Sequence, residues 1–214
     1  MGEIVLYSYF KSSCSYRIRI QLGLKDIAYT YKAVNLLKAE HRSEDFLAIN
    51  GMGQVPTLCI DGLTLSQSVA IAEYLEETHP DKMSLLPEDP KTRAIVREIM
   101  EIINAGTQPL QNLALLRELE RLGGAEAKIQ WVQTALCRGL KAAELLVSKH
   151  GGKYAVGDRI TLADAFLIPQ IEAAESRFDI DVTQKFPSLH RIRCAVKEEP
   201  AFVAARPENQ PDAP

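Results

Sequence analysis

Between Lys11 and Arg19 the chain reads KSSCSYRIR, directly after the apolar run EIVLYSYF. Ser12, Ser13, Cys14 and Ser15 thus stand where a strand gives way to a helix. The first turn of a helix leaves backbone amides without intrahelical partners and favours negative charge, so residues there can hold an anion, and a cysteine there can be reactive. The plainer alternative is a helix cap, for which serine is a preferred residue. Two further places have comparable potential. Val55-Pro56 precedes a short strand, where a cis proline would expose the backbone of Val55 to an extended peptide, although a strand-edge trans proline is the commoner arrangement. Gln67-Ser68 opens a second helix, whose side chains and free amides suit a carboxylate. Two helix starts and one backbone edge in one small region would match the parts of a short acidic peptide.

The other chemically capable residues form no such pattern. Cys14, Cys59, Cys137 and Cys194 show neither a C-x-x-C pair nor alternation with histidine at metal spacing, so no metal site is expected. Position 11, where a partner for Cys14 would lie, is lysine, which excludes dithiol exchange. Cys59 sits in a strand pattern and Cys137 and Cys194 in helical ones, as small buried hydrophobes do. Tyr7 alternates within a strand and is expected to pack. His79, His150 and His190 have no partners at recognisable spacing. Arg17 and Arg19 lie on the first helix, where most arginines are solvated or paired with carboxylates.

These residues need a frame. Residues 3 to 10 alternate as a strand, and Cys14, Ile18 and Leu22 recur at helical spacing. Tyr29, Tyr31 and Ala33 alternate in a second strand, and SEDFLAI is a short helix ending near Asn50 and Gly51. QVPTLCI and LTL are strands joined by Asp61-Gly62, a dipeptide suited to a tight hairpin. SQSVAIAEYLEETH, with Ser66 as its expected cap, closes the unit. The order β-α-β-α-β-β-α is that of a thioredoxin-like α/β fold. Beyond the proline-punctuated stretch HPDKMSLLPEDP the strand signals vanish. The remainder reads as helices, broken at Gly123-Gly124, at Gly151-Gly152 and around Pro187, with a capping box opening at Thr161 and Asp164. The expected domains are residues 1–83, thioredoxin-like, and 88–214, all-helical.

Composition bounds the possibilities. The chain is 46% apolar and 25% charged, enough for a core and inconsistent with disorder. The net charge of −3 is spread over mixed-sign helices, which leaves no electrostatic footprint for nucleic acid. No apolar run approaches the roughly 20 residues that cross a bilayer, and no basic region with an apolar block opens the chain, so a cytoplasmic protein without membrane partners is expected.

SSCSYRIRI, QVPTL, LSQSVAIAEYLEETHP, TQPLQNL, GDRITLADAFLIPQ and PENQPD together resemble the zeta-class glutathione S-transferases, over nearly the whole chain. The SSCS motif separates this class from those that use a catalytic tyrosine. The resemblance implies glutathione as cofactor, a homodimer, and cis-trans isomerisation of the diacid maleylacetoacetate to fumarylacetoacetate in tyrosine and phenylalanine breakdown. By position, it implies that Ser12, Ser13, Cys14 and Ser15 form the thiol-facing turn, with Tyr16 and Arg17 beside it in the glutathione site. Val55 pairs with the glutathione backbone, and Gln67 with Ser68 holds the γ-glutamyl end. His41 takes a glutathione contact, in a loop shorter than the family's and without its usual glutamine. Gln108, Asn112, Leu113 and Ala114 line the site from the helical domain, and Arg177 meets a substrate carboxylate. Of the four residues in the catalytic set, Ser12, Ser13, Cys14 and Arg177, the first two compete for the thiolate contact. A transferase acting on α-halo acids through the same thiolate, and a glutathione-binding protein without chemistry, are the alternative functions.

Overall fold

The structure is a computed structural model and describes residues 2–214. Its contacts divide it into two compact units, Met1–Ser84 with Lys197–Pro214, and Leu85–Val196. The first unit is built on four strands, β1 Val5–Ser8, β2 Thr30–Ala33, β3 Thr57–Ile60 and β4 Leu63–Ser66, in the order β2-β1-β3-β4. β1 and β2 run parallel, as a helical crossover requires, whereas β3 is antiparallel to both β1 and β4. The β3–β4 turn has positive φ at both Asp61 (51°) and Gly62 (77°), the conformation that matches the right-handed twist of a two-residue hairpin. Helices α1 Ser13–Leu24, α2 Glu44–Ile49 and α3 Ser68–Thr78 complete the thioredoxin-like unit.

α1 is buried around nearly its whole circumference from Ser13 to Leu22, and its polar residues are inside with it. Two residues of α1 and its C-cap Lys25, spaced four apart, meet residues of α3 spaced four apart. Arg17 Nη1 donates to Ser68 Oγ at 2.9 Å, Gln21 Nε2 to the Ala72 carbonyl at 2.9 Å, and Lys25 Nζ pairs with Glu76 Oε1 at 3.0 Å. With 3.6 residues per turn, such rungs recur once per turn on two helices running in the same direction. Helix α9, Pro200–Ala205, packs on α1, where Arg19 Nε donates to the Ala205 carbonyl at 3.1 Å and the Tyr16 hydroxyl to that of Phe202. The segment from Lys197 onward, which the sequence pattern assigns to the helical part, thus belongs to the α/β unit. Its helical texture is local, whereas its partner lies 186 residues upstream.

The second unit consists of α4 Pro90–Asn104, α5 Leu113–His150, α6 Leu162–Phe178, α7 Val182–Lys185 and α8 Pro187–Ala195. α5 is kinked at Gly124, whose φ of 80° interrupts the helix where the glycine pair stands in the sequence. α6 forms the core, with every residue from Leu162 to Ile171 buried. Its first turn is fixed by Asp164, which is fully buried and accepts from the Ala155 and Thr161 amides, both at 2.8 Å, and from Thr161 Oγ1 at 3.1 Å. Among the described residues, no helix is long and apolar enough to cross a membrane.

Candidate functional site

β1 ends at Ser8, and the chain reverses through a Tyr9–Ser12 turn closed by the Ser12 amide on the Tyr9 carbonyl at 2.9 Å. Ser12 is the N-cap of α1. Its backbone is extended (φ −73°, ψ 114°) and its Oγ accepts from the Ser15 amide at 3.1 Å. That bond uses a lone pair and leaves the hydroxyl hydrogen available, so capping and donation to a ligand are compatible in one side chain. Ser12 and Cys14 are half-buried, whereas Ser13 and Ser15 are buried, and Ser15 Oγ has no hydrogen-bond partner among the described residues. Adjacent helical side chains point about 100° apart, which prevents Ser12, Ser13 and Cys14 from all facing one atom.

The second helix start differs from its expected form. Ser66 remains in β4, paired with Thr57, and is not the cap of α3. The N-cap is Gln67, with φ 72° and ψ 115° and no side-chain cap bond, so the ladder holds Ser66 in the strand and the helix begins one residue later. A non-glycine residue in that region is disfavoured, and such residues concentrate at ligand-binding positions. The first turn of α3 has no side-chain cap from Gln67, and a helix N-terminus of this kind favours an anion. Ser68, at the head of this helix, is joined to α1 by Arg17.

Arg17 and Arg19 depart most from expectation. Neither is solvated, with 1% and 2% exposure. Arg19 donates to Ser8 Oγ and to the carbonyls of Tyr9, Phe10 and Ala205. Burial lowers its pKa from the usual guanidinium value, an effect opposed by the neighbouring Tyr31, Tyr29 and Tyr16. These arginines are interior because α3 and α9 cover the faces of α1 that would otherwise be wet.

The Val55–Pro56 bond is cis, and Val55 is buried just before β3. His41 lies half-buried in a 3-10 turn, Glu40–Arg42, where its Nε2 accepts from Arg42 Nε at 3.4 Å. The remaining expected residues are in the helical unit. Gln108 sits in a 3-10 turn, Gln108–Gln111, and Asn112 caps α5, its Oδ1 accepting from the Ala114 amide at 3.0 Å. Leu113 and Ala114 are exposed in the first turn of α5. The buried, reciprocal amide pair of Gln111 with Gln170 ties that turn to α6. Arg177 is exposed in the last turn of α6, seven residues and therefore two turns beyond Gln170 on nearly the same face, roughly 10 Å along the axis.

Other residues take structural roles. The Tyr7 ring packs edge-on against Phe46 at 5.8 Å, as its alternation in the strand suggests. Cys194 is exposed rather than buried, with its Sγ 3.5 Å from His190 Nε2, and Cys59 and Cys137 are half-buried. Among the described residues, no group of three or more histidine, cysteine, aspartate or glutamate side chains could hold a metal ion. Sequence pattern missed Asp212, whose carboxylate accepts from the Phe10 amide at 3.0 Å in the turn preceding Ser12. No periodicity signals a contact across 202 residues.

Residues 2–77 match the family model described as glutathione S-transferase, N-terminal domain, and residues 118–204 that of the C-terminal domain. The chain is 46% identical to the maleylacetoacetate isomerase of Rattus norvegicus over 100% of its own length and 96% of the relative's. It is 44% identical to the zeta-class glutathione S-transferase of Euphorbia esula, with 99% and 93% covered. A crystal structure of the maleylacetoacetate isomerase of Anaeromyxobacter dehalogenans, with glutathione bound in its active site, superposes with a TM-score of 0.90 at 43% identity, covering 99% of this chain and 98% of that one.

Proposed function

Because the chain belongs to the zeta class of the glutathione S-transferase family, we propose that it is a glutathione-dependent isomerase converting maleylacetoacetate to fumarylacetoacetate. The observation that carries this reading is the SSCS turn at the head of α1, joined through Arg17 and Ser68 to the uncapped head of α3. Two anion-binding helix starts in one thioredoxin-like unit, with an unpartnered buried Ser15 hydroxyl between Cys14 and Tyr16, fit a thiol peptide with a carboxylate at its far end.

When bound, glutathione supplies a thiolate that adds to the conjugated double bond of the cis diacid, leaves a single bond free to rotate, and departs to give the trans product. The task of the chain is to keep that sulfur ionised and oriented. An ordinary thiol titrates near 8.5, and lowering it by about two pH units takes about 2.7 kcal/mol. The head of α1 contributes about 0.3–1 kcal/mol and a hydroxyl donor to the charged sulfur about 1.5–3, which together suffice without a metal or a general base. Ser12 is the favoured donor, with Ser13 and Cys14 flanking it. Gln67 and Ser68 receive the γ-glutamyl end. Arg17 donates to Ser68 Oγ and so holds the Ser68 side chain at the head of α3, beside the place proposed for the incoming carboxylate. Val55 offers its backbone, and Tyr16, Arg17 and His41 complete the set in this unit. Gln108, Asn112, Leu113 and Ala114 contact the ligands from the helical unit, and Arg177 receives a substrate carboxylate. The working form proposed is a cytoplasmic homodimer.

A spectrophotometric assay of maleylacetone isomerisation with and without glutathione tests the function. Turnover is expected only with the thiol present, and equal rates in its absence would remove the mechanism. For the substrate end, Arg177→Ala is expected to raise KM for the diacid far more than for a neutral electrophile, because a guanidinium pairs a carboxylate through a planar two-bond fork. Equal losses with charged and neutral substrates would make Arg177 structural.

A further inference from the structure

The turn that presents Ser12 is held by Asp212, 202 residues from Phe10 in sequence, and by Arg19 of the helix that follows it. The Phe10 amide donates to Asp212 Oδ2 at 3.0 Å, while the Tyr31 hydroxyl donates to Asp212 Oδ1 at 2.6 Å. Burial, and next the bond to Asp212, raise the pKa of Tyr31, which keeps that hydroxyl a donor. On the opposite side, Arg19 donates to the Phe10 carbonyl at 3.2 Å and to the Tyr9 carbonyl at 3.4 Å. Both polar groups of Phe10 are therefore engaged by charged side chains. β1 has already ended at Ser8, so no ladder bond fixes this stretch. Two residues later Ser12 closes the turn and caps α1. A charge-assisted bond to a backbone amide is among the stronger hydrogen bonds, and its loss lets the peptide plane tilt.

We propose that Asp212 is a positioning residue for the reaction: through the Phe10 amide it fixes the Tyr9–Ser12 turn and keeps the Ser12 hydroxyl aimed at the sulfur of the bound thiol. This rests on the assignment of Ser12 as thiolate donor. Displacements of about 1 Å in a positioned group can cost orders of magnitude in rate, so even a partial loosening of the turn is measurable.

The test uses Asp212→Ala and Asp212→Asn in the full chain, with three readouts. In the ligand-free protein, amide exchange at Phe10, followed by nuclear magnetic resonance, is expected to accelerate roughly tenfold in the alanine variant. With glutathione bound, the ultraviolet titration midpoint of its thiolate is expected to rise by about 0.5–1 pH unit. kcat at neutral pH is expected to fall roughly fivefold. Asp212→Asn retains an oxygen acceptor for the amide and should recover most of all three. Faster exchange at Phe10 with an unchanged thiolate titration and unchanged kcat would make Asp212 a stabilising clasp only and overturn the proposal. If Asp212→Ala does not fold, Asp212→Glu, which displaces the carboxylate by one methylene, carries the test, and an unshifted thiolate titration in it overturns the proposal equally. Failure of the underlying assignment is distinguishable, because Ser12→Ala would then leave the bound thiolate unchanged.

Discussion

Replacing Ser12 by alanine is expected to raise the pKa of bound glutathione and cut kcat at neutral pH by roughly tenfold or more, the effect of losing a charge-assisted bond of about 1.5–3 kcal/mol. Ser12 combines two functions. Its Oγ accepts from the Ser15 amide, which caps α1, and its hydrogen remains for the sulfur. Alanine also removes the cap, at about 1 kcal/mol of stability, so rates must be expressed per folded molecule. Ser12→Thr restores both the cap and the hydroxyl and should recover much of the rate. Ser13 is 6% exposed and stands one residue into the helix, rotated by about 100° from Ser12, so Ser13→Ala is expected to shift the thiolate less. Cys14→Ala should keep substantial activity, because S–H is a weak donor, while losing covalent modification by reactive electrophiles. Ultraviolet titration of the bound thiolate in the three variants decides among them. A large shift in Cys14→Ala with none in either serine variant would transfer the role to the cysteine.

Replacing Asp164 by alanine is expected to lower the unfolding free energy by about 3–6 kcal/mol, measured by urea denaturation at about pH 7.5, a large part of the roughly 5–15 kcal/mol available to a typical domain. The carboxylate is fully buried and is the acceptor for the Ala155 and Thr161 amides, so alanine would leave two donors in the interior without that partner. Burial pushes this carboxyl up to about 6 from an ordinary 3.8, against the opposing hydrogen bonds from Thr161 and Ala155. The folded chain then binds the proton more tightly than the unfolded one. The proton-linked part of its stability is present below about pH 4 and lost as the pH rises through about 6. Measurement above that window compares ionised Asp164 with alanine directly. A loss below about 1 kcal/mol would show that water or a rearranged loop satisfies these amides.

Much of the local framework is written in the sequence. Alternation marks β1 to β4 within a few residues, Asp61-Gly62 specifies its hairpin because both residues tolerate positive φ, and Thr161 with Asp164 announces the start of α6. The SSCS turn and Gln67-Ser68 are equally legible, because a helix start is a local event with local chemistry. The side-chain environment is another matter. Arg17 and Arg19 look like surface arginines in any window of the sequence, and only the packing of α3 and α9 around α1 turns them inward to Ser68 and to the Tyr9 and Phe10 carbonyls. Gln67 rather than Ser66 is the N-cap of α3 because the β3–β4 ladder retains Ser66, a competition between two elements that neither one displays alone. The segment from Lys197 onward carries helical texture but joins the α/β unit, and Asp212 reaches Phe10 across 202 residues. Periodicity and capping act over at most a few turns of chain, so they determine which elements form and which residues stand at their ends. Burial, the partner of a buried charge and the aim of a hydroxyl depend on surfaces brought together from distant segments, and for these only the tertiary structure decides.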